Sequence, residues 1–166
     1  MCNRRVFYNK GFISFVKIFL IFLFLLFPSF SFSEENSCNL VSLKGEKYTL
    51  KELFSHPKLI LMFWSSWCYF CKITLQRLSQ EDLFLYPAKF FFIDIGERKP
   101  AIEKFVKENK IDYFIQNNII LDKCGVLQEK FNIIGVPTFL FIKEGKIIYR
   151  SYFLNRSIAQ EVFNEN

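Results

Sequence analysis

The run Leu59-Ile60-Leu61-Met62-Phe63-Trp64 is apolar without a break and stops at Ser65-Ser66. A continuous apolar run of this kind suits a central strand buried on both faces. Trp67-Cys68-Tyr69-Phe70-Cys71 follows and opens a helix that runs from Cys68 to about Gln80, with Ile73, Leu75 and Leu78 turned towards the core. Cysteines at i and i+3 at a helix start sit one turn apart on one face. That is close to the roughly 4.4–6.8 Å between Cα atoms that a disulfide needs, so the pair can open and close without rearranging the backbone. Cys68, in the first turn, has unpaired N–H groups and the positive end of the helix dipole beside it, and both favour thiolate over thiol. A strand, a short polar break and a helix carrying a redox dithiol are therefore the frame for the rest of the chain.

The remaining elements alternate. Cys38 to Leu43 reads as a short strand, turned at Lys44-Gly45-Glu46 into a second strand around Lys47-Tyr48. Thr49 and Glu52 form a capping box for a short helix, Leu50 to Phe54, ended by His56-Pro57. His56, alone beside a proline, reads as a surface residue. Lys89 to Ile95 is a second buried strand ended by Gly96, and Pro100 to Asn109 a helix with Ile102, Phe105 and Val106 on one face. A strand at Ile119 to Leu121, a helix at Cys124 to Phe131, and strands at Thr138 to Ile142 and Ile147 to Tyr149 around a Glu144-Gly145 turn come next. Ser157 and Gln160 mark a capping box for a last helix, Ile158 to Phe163. Strands and helices in this order predict a three-layer α/β sandwich around a mixed sheet, in one domain over residues 38–164.

Charge and export belong to the N-terminal segment. The formal net charge is +6, yet Arg4, Arg5, Lys10 and Lys17 all fall in residues 1–33, which hold no acid. The rest of the chain is close to neutral, and no nucleic-acid footprint is expected. A basic start, an apolar centre from Ile18 to Phe27 and small residues Ser31 and Ser33 before Glu34 form the three parts of a secretory signal. The alternative is an uncleaved anchor; the stretch from Gly11 to Phe27 includes Lys17 and is short for a span. Either way the charge bias leaves the domain outside. Thiols there are not held reduced by glutathione, so a CxxC domain needs a partner that sets its redox state.

Phe63-Trp64-Ser65-Ser66-Trp67-Cys68-x-x-Cys71 followed by Gly135-Val136-Pro137-Thr138 resembles the thioredoxin superfamily, and most of all its exported TlpA/ResA/DsbE-like thiol–disulfide oxidoreductases. The resemblance covers about residues 38–164. It implies a thioredoxin-like sandwich with an inserted helix and strand, which residues 99–122 fit. It implies Cys68 as attacking nucleophile and Cys71 as resolving thiol, joined in a redox-active disulfide when oxidised. Trp67 would shield one side of the site, and Val136-Pro137 would form the cis-proline loop that offers hydrogen bonds to a client chain. The leftover cysteines, Cys38 and Cys124, would form a structural disulfide tying the N-terminal segment down. Neither cofactor nor metal is implied: a zinc site usually needs a second CxxC or paired histidines, and the chain has one His. The partners implied are client protein thiols and disulfides and a membrane-embedded redox partner, in a bacterial periplasm or on the outer face of the cytoplasmic membrane.

Two departures stand out. Thr74 lies three residues after Cys71, where ResA-like members usually have a glutamate, and Met62 stands where thioredoxin keeps a buried aspartate. Proton transfer to or from Cys71 must then use water, Thr74 or a more distant group. A client-disulfide reductase, an oxidase or isomerase using the same site, and a non-enzymatic metal-carrying or binding module remain as readings of the motif.

Overall fold

A computed structural model describes residues 38–164. The segment read as signal or anchor lies outside these residues. Seven strands form one sheet: β1 (Leu40–Ser42), β2 (Lys47–Tyr48), β3 (Lys58–Trp64), β4 (Lys89–Ile95), β5 (Ile119–Asp122), β6 (Thr138–Lys143) and β7 (Lys146–Ser151), in the order β2-β1-β5-β4-β3-β6-β7. The strands β3, β4 and β5 are parallel, while β1 against β5, β6 against β3 and β7 against β6 are antiparallel. The sheet is therefore mixed, with the two long apolar strands at its centre.

Helices cover both faces. They are α1 (Leu50–Leu53), α2 (Tyr69–Leu78), α3 (Lys99–Glu108), α4 (Tyr113–Asn117), α5 (Val126–Lys130) and α6 (Arg156–Asn164). Side chains alternate along each strand, so β3 sends Ile60, Met62 and Trp64 to one side and Leu59, Leu61 and Phe63 to the other. The first side meets Cys71, Leu75 and Leu78 of α2, Ile102, Phe105 and Val106 of α3, and Ala159 and Phe163 of α6. The second meets Leu53 of α1 and Leu127 of α5. Each fully buried side chain of this size contributes about 1.5–3 kcal/mol relative to exposure. Two-sided burial accounts for the apolar runs Leu59–Trp64 of β3 and Phe90–Ile93 of β4.

Several details differ from the sequence reading. Ile73 is turned out to solvent, because Cys71, Leu75 and Leu78 form the inward stripe and residues two apart do not share a helix face. The region expected to hold one helix and one strand has two helices, α3 and α4, before β5. The last helix begins at Arg156, and Asn155 Oδ1 accepts the Ile158 N–H at 2.8 Å, so Asn155 and not Ser157 caps it. The fifth helix starts at Val126 because Gly125 takes a left-handed φ of 69° and the Asp122 carboxylate accepts the N–H groups of Val126, Leu127 and Gln128. Cys124 therefore lies in the turn ahead of that helix. His56 is half-buried, 5.9 Å from the Phe91 ring, and its pKa is lowered by burial and then by Lys89. Among the described residues no helix is long and apolar enough to cross a membrane.

Candidate active site

Parallel pairing brings the C-terminal ends of β3, β4 and β5 to one edge of the sheet. The first residue of β6, Thr138, pairs with Phe63, so the loop before β6 reaches that same edge. Four segments converge there: Ser65–Cys71, Gly96-Glu97, Asp122–Cys124 and Gly135–Pro137.

Cys68 is the N-cap of α2, just ahead of the first turn in which the spacing placed it. Its extended backbone leaves Sγ facing the helix start, where it accepts the Cys71 N–H at 3.0 Å. In the reduced state that contact favours a thiolate, since a hydrogen bond to the charged form stabilises it. Cys68 and Cys71 form a disulfide with Cα atoms 5.2 Å apart. Cys71 is fully buried, while Cys68 keeps a 7% exposed face. The Val136 carbonyl oxygen lies 3.6 Å from Cys68 Sγ, and the Val136–Pro137 peptide is cis. Thr138 Oγ1 donates to the Gly135 carbonyl at 2.7 Å and ties the two ends of that loop together.

The rim is apolar and solvent-facing. Trp67, Tyr69 and Phe70 are each about 70% exposed, and Ile134 is 83% exposed. Trp67 thus stands over the rim and not in the core. Cys38 and Cys124, both exposed, form a second disulfide at this edge, with Cα atoms 5.4 Å apart. Met62 is buried in the core and Thr74 half-buried on α2. Among the described residues, no group of three or more His, Cys, Asp or Glu side chains is arranged to hold a metal ion.

A pair of acids joined to the turn that leads to Cys68 escaped the sequence reading. Asp94 pairs in register with Trp64 across β3 and β4 and has no solvent exposure. Gly96, with φ of 80°, turns the chain so that the Glu97 N–H reaches Asp94 Oδ1 at 3.1 Å. The Glu97 carboxylate in turn accepts the Ser66 N–H at 2.6 Å and the Ser66 hydroxyl at 2.5 Å. Burial first, then the neighbouring Glu97 carboxyl, and to a smaller degree Asp122, push the Asp94 carboxyl up to about 8. The available signal was one acid inside the apolar strand Lys89 to Ile95, followed by Gly96-Glu97.

The sequence profile of the thioredoxin-like domain matches residues 53–155. The chain belongs to the thioredoxin-like domain family. It is 29% identical over 143 residues to the sporulation thiol-disulfide oxidoreductase A of Bacillus subtilis, covering 80% of this chain and 84% of that protein. The crystal structure of StoA from Bacillus subtilis superposes with a TM-score of 0.60 at 25% identity, over 75% of this chain and 94% of that one. A secreted Mycobacterium tuberculosis disulfide oxidoreductase, described as homologous to Escherichia coli DsbE, shares the fold with a TM-score of 0.60 at 20% identity, over 76% and 94% of the two chains. Fold, family and CxxC pair together make this chain a thioredoxin-like thiol–disulfide oxidoreductase.

Proposed function

We propose that this protein works outside the cytoplasm as a reductant of disulfides in client proteins, with Cys68 attacking and Cys71 resolving. The observation that carries the reading is Cys68 at a helix N-cap, its sulfur accepting the Cys71 N–H and facing the carbonyl of Val136 in the cis-proline loop. In the reduced enzyme the Cys68 thiolate attacks one sulfur of a client disulfide. A bond forms between Cys68 and that sulfur, and the client's other sulfur leaves as a thiolate that takes a proton from water. Cys71, as thiolate, then attacks Cys68 Sγ. The Cys68–Cys71 disulfide closes and the client leaves with both sulfurs reduced. The client gains two electrons and the enzyme loses them; a membrane-embedded dithiol partner restores them.

Roles follow from position. Cys68 has the exposed face and the N–H donor that a nucleophile needs, and Cys71, fully buried one turn on, attacks only within the molecule. The Val136 carbonyl and the rim formed by Trp67 and Ile134 would receive the client backbone next to its cysteine. Export rests on the basic, apolar and small-residue sequence of residues 1–33.

The test is insulin reduction by the wild type and by Cys68→Ser, with the reduction potential of the Cys68/Cys71 couple. Turnover lost in Cys68→Ser, with a couple nearer about −270 mV than about −120 mV, supports the reading. A couple near the oxidising end reverses the direction, and a wild type no more active than Cys68→Ser refutes exchange altogether.

A further inference from the structure

We infer that Asp94 is a positioning residue of the dithiol, its protonation state transmitted through Glu97 and Ser66 to the turn that presents Cys68. The inference rests on the exchange reading above and concerns how that site is held, not which client it takes.

The argument begins with burial. Asp94 is fully enclosed on the face of the sheet that Trp64, Cys71 and Phe105 share. Only Oδ1 is engaged by a donor, the Glu97 N–H; Oδ2 is buried and has no hydrogen-bond partner among the described residues. A carboxylate in that setting is penalised, because a buried charge without full pairing loses its hydration and gains too little in return. Glu97 sits beside it, and two carboxyls this close hold one proton between them more readily than none. Burial, with the Glu97 carboxyl next to it, favours the protonated form of Asp94, while the Glu97 carboxyl accepts the Ser66 N–H and Oγ–H.

Ser66 is two residues before Cys68, and the Cys68 N–H donates to the Ser65 carbonyl at 3.3 Å. The Glu97 carboxylate thus clamps the same short turn that sets the Cys68 backbone. When Asp94 ionises, a buried negative charge faces the half-buried Glu97 carboxylate. The repulsion falls on the Glu97–Ser66 clamp, and the added charge behind the turn opposes the Cys68 thiolate. Both effects act in one direction, lowering Cys68 reactivity as Asp94 loses its proton. The other charged groups around this region are Asp122 at the end of β5, Lys72 on α2, and Lys104 and Glu108 on α3, the last three lining a cleft with Ser66. None of them hydrogen-bonds Ser66, whose backbone and hydroxyl both go to Glu97.

The test follows alkylation of Cys68 in the reduced full-length protein by iodoacetamide across pH, read on the Cys68 peptide by mass spectrometry. Wild type should show, besides the thiol's own titration, a second inflection near pH 8 at which the rise in rate is blunted. Asp94→Asn should lose that inflection yet match wild type below pH 7, where Asp94 is already neutral. Glu97→Gln, which removes the neighbouring charge, should move the inflection to lower pH. A purely packing role would alter rates at all pH values alike. An inflection that persists in Asp94→Asn, or that stays in place in Glu97→Gln, overturns the inference. Insulin reduction by the same wild-type preparation separates the two claims: an inactive wild type defeats the exchange reading, whereas an active one with an Asp94-independent profile defeats this inference alone.

Discussion

Cys68 occupies a helix N-cap, a place that serine, threonine, aspartate or asparagine fills in most helices. A sulfur there accepts one of the N–H groups that the first turn leaves unpaired, and so the helix itself favours the reactive ionisation state. Two outcomes follow at this scale. Cys71→Ser, which keeps the nucleophile but removes the group that displaces the client, should accumulate a covalent Cys68–client adduct on non-reducing gels while multiple turnover stops. Asp94 supplies the second, through stability. The folded protein holds a proton on Asp94 up to about pH 8, while the unfolded chain releases it near its ordinary value of 3.8. Between those values the folded state binds more protons than the unfolded one, so stability falls as pH rises and levels off above about 8. Urea midpoints of the wild type minus those of Asp94→Asn should decline across this window; a flat difference would mean that Asp94 ionises normally. Cys68 and Cys71 were legible because spacing and residue type suffice to place them. Asp94 was not, since nothing local to Lys89–Ile95 says that strand β4 will lie beside Trp64.

The elements divide by how much of their environment they carry within themselves. Strands β3 and β4 declare two-sided burial in their composition, and their bounds emerged almost as read. Helix α2 did so less well: Leu75 and Leu78 were placed correctly, but Ile73 was put in the core when it is 45% exposed. An apolar side chain at the margin of a helix stripe has two possible neighbours, solvent or the next layer, and the helix alone does not choose. The distinction has a measurable consequence. Phe92→Ala, which empties a fully buried site in β4, should cost about 3–5 kcal/mol in urea unfolding. Ile73→Ala should stay within about 0.5 kcal/mol, as surface substitutions do. The short helices α4 and α5 depend on caps: Asp112 accepts the Phe114 N–H, and Asp122 receives three N–H groups of α5. Five-residue helices have too few turns for a periodic signal, so such caps decide where they start.

On the scale of the molecule, Cys38–Cys124 joins the chain two residues ahead of β1 to the turn after β5, across a sequence separation of 86. On the chain-entropy model a loop of that length is worth up to about 4–5 kcal/mol, because the crosslink restricts the unfolded chain more than the folded one. The double variant Cys38→Ser/Cys124→Ser should unfold at lower denaturant by a corresponding amount and still reduce insulin, since neither sulfur lies in the exchange path proposed here. Equal stability of the two proteins, with both cysteines found as free thiols by peptide mapping of the oxidised wild type, would remove the bridge from the account.

Local chemistry in the sequence determined the α/β class, the two-sided strands at the centre, and a dithiol at a strand-to-helix junction. Each of these depends on residues within one turn or one strand of each other. The tertiary structure decided what meets that dithiol. Parallel pairing of β3, β4 and β5 sets their C-terminal ends side by side, and antiparallel β6 returns Val136 to the same edge. That juxtaposition puts Asp94 next to Trp64 and the Glu97 carboxylate on Ser66. Met62 and Thr74 marked where an acid was missing along the chain. The sheet sets Asp94 beside Trp64 from the neighbouring strand, because lateral pairing brings together residues that sequence spacing keeps apart.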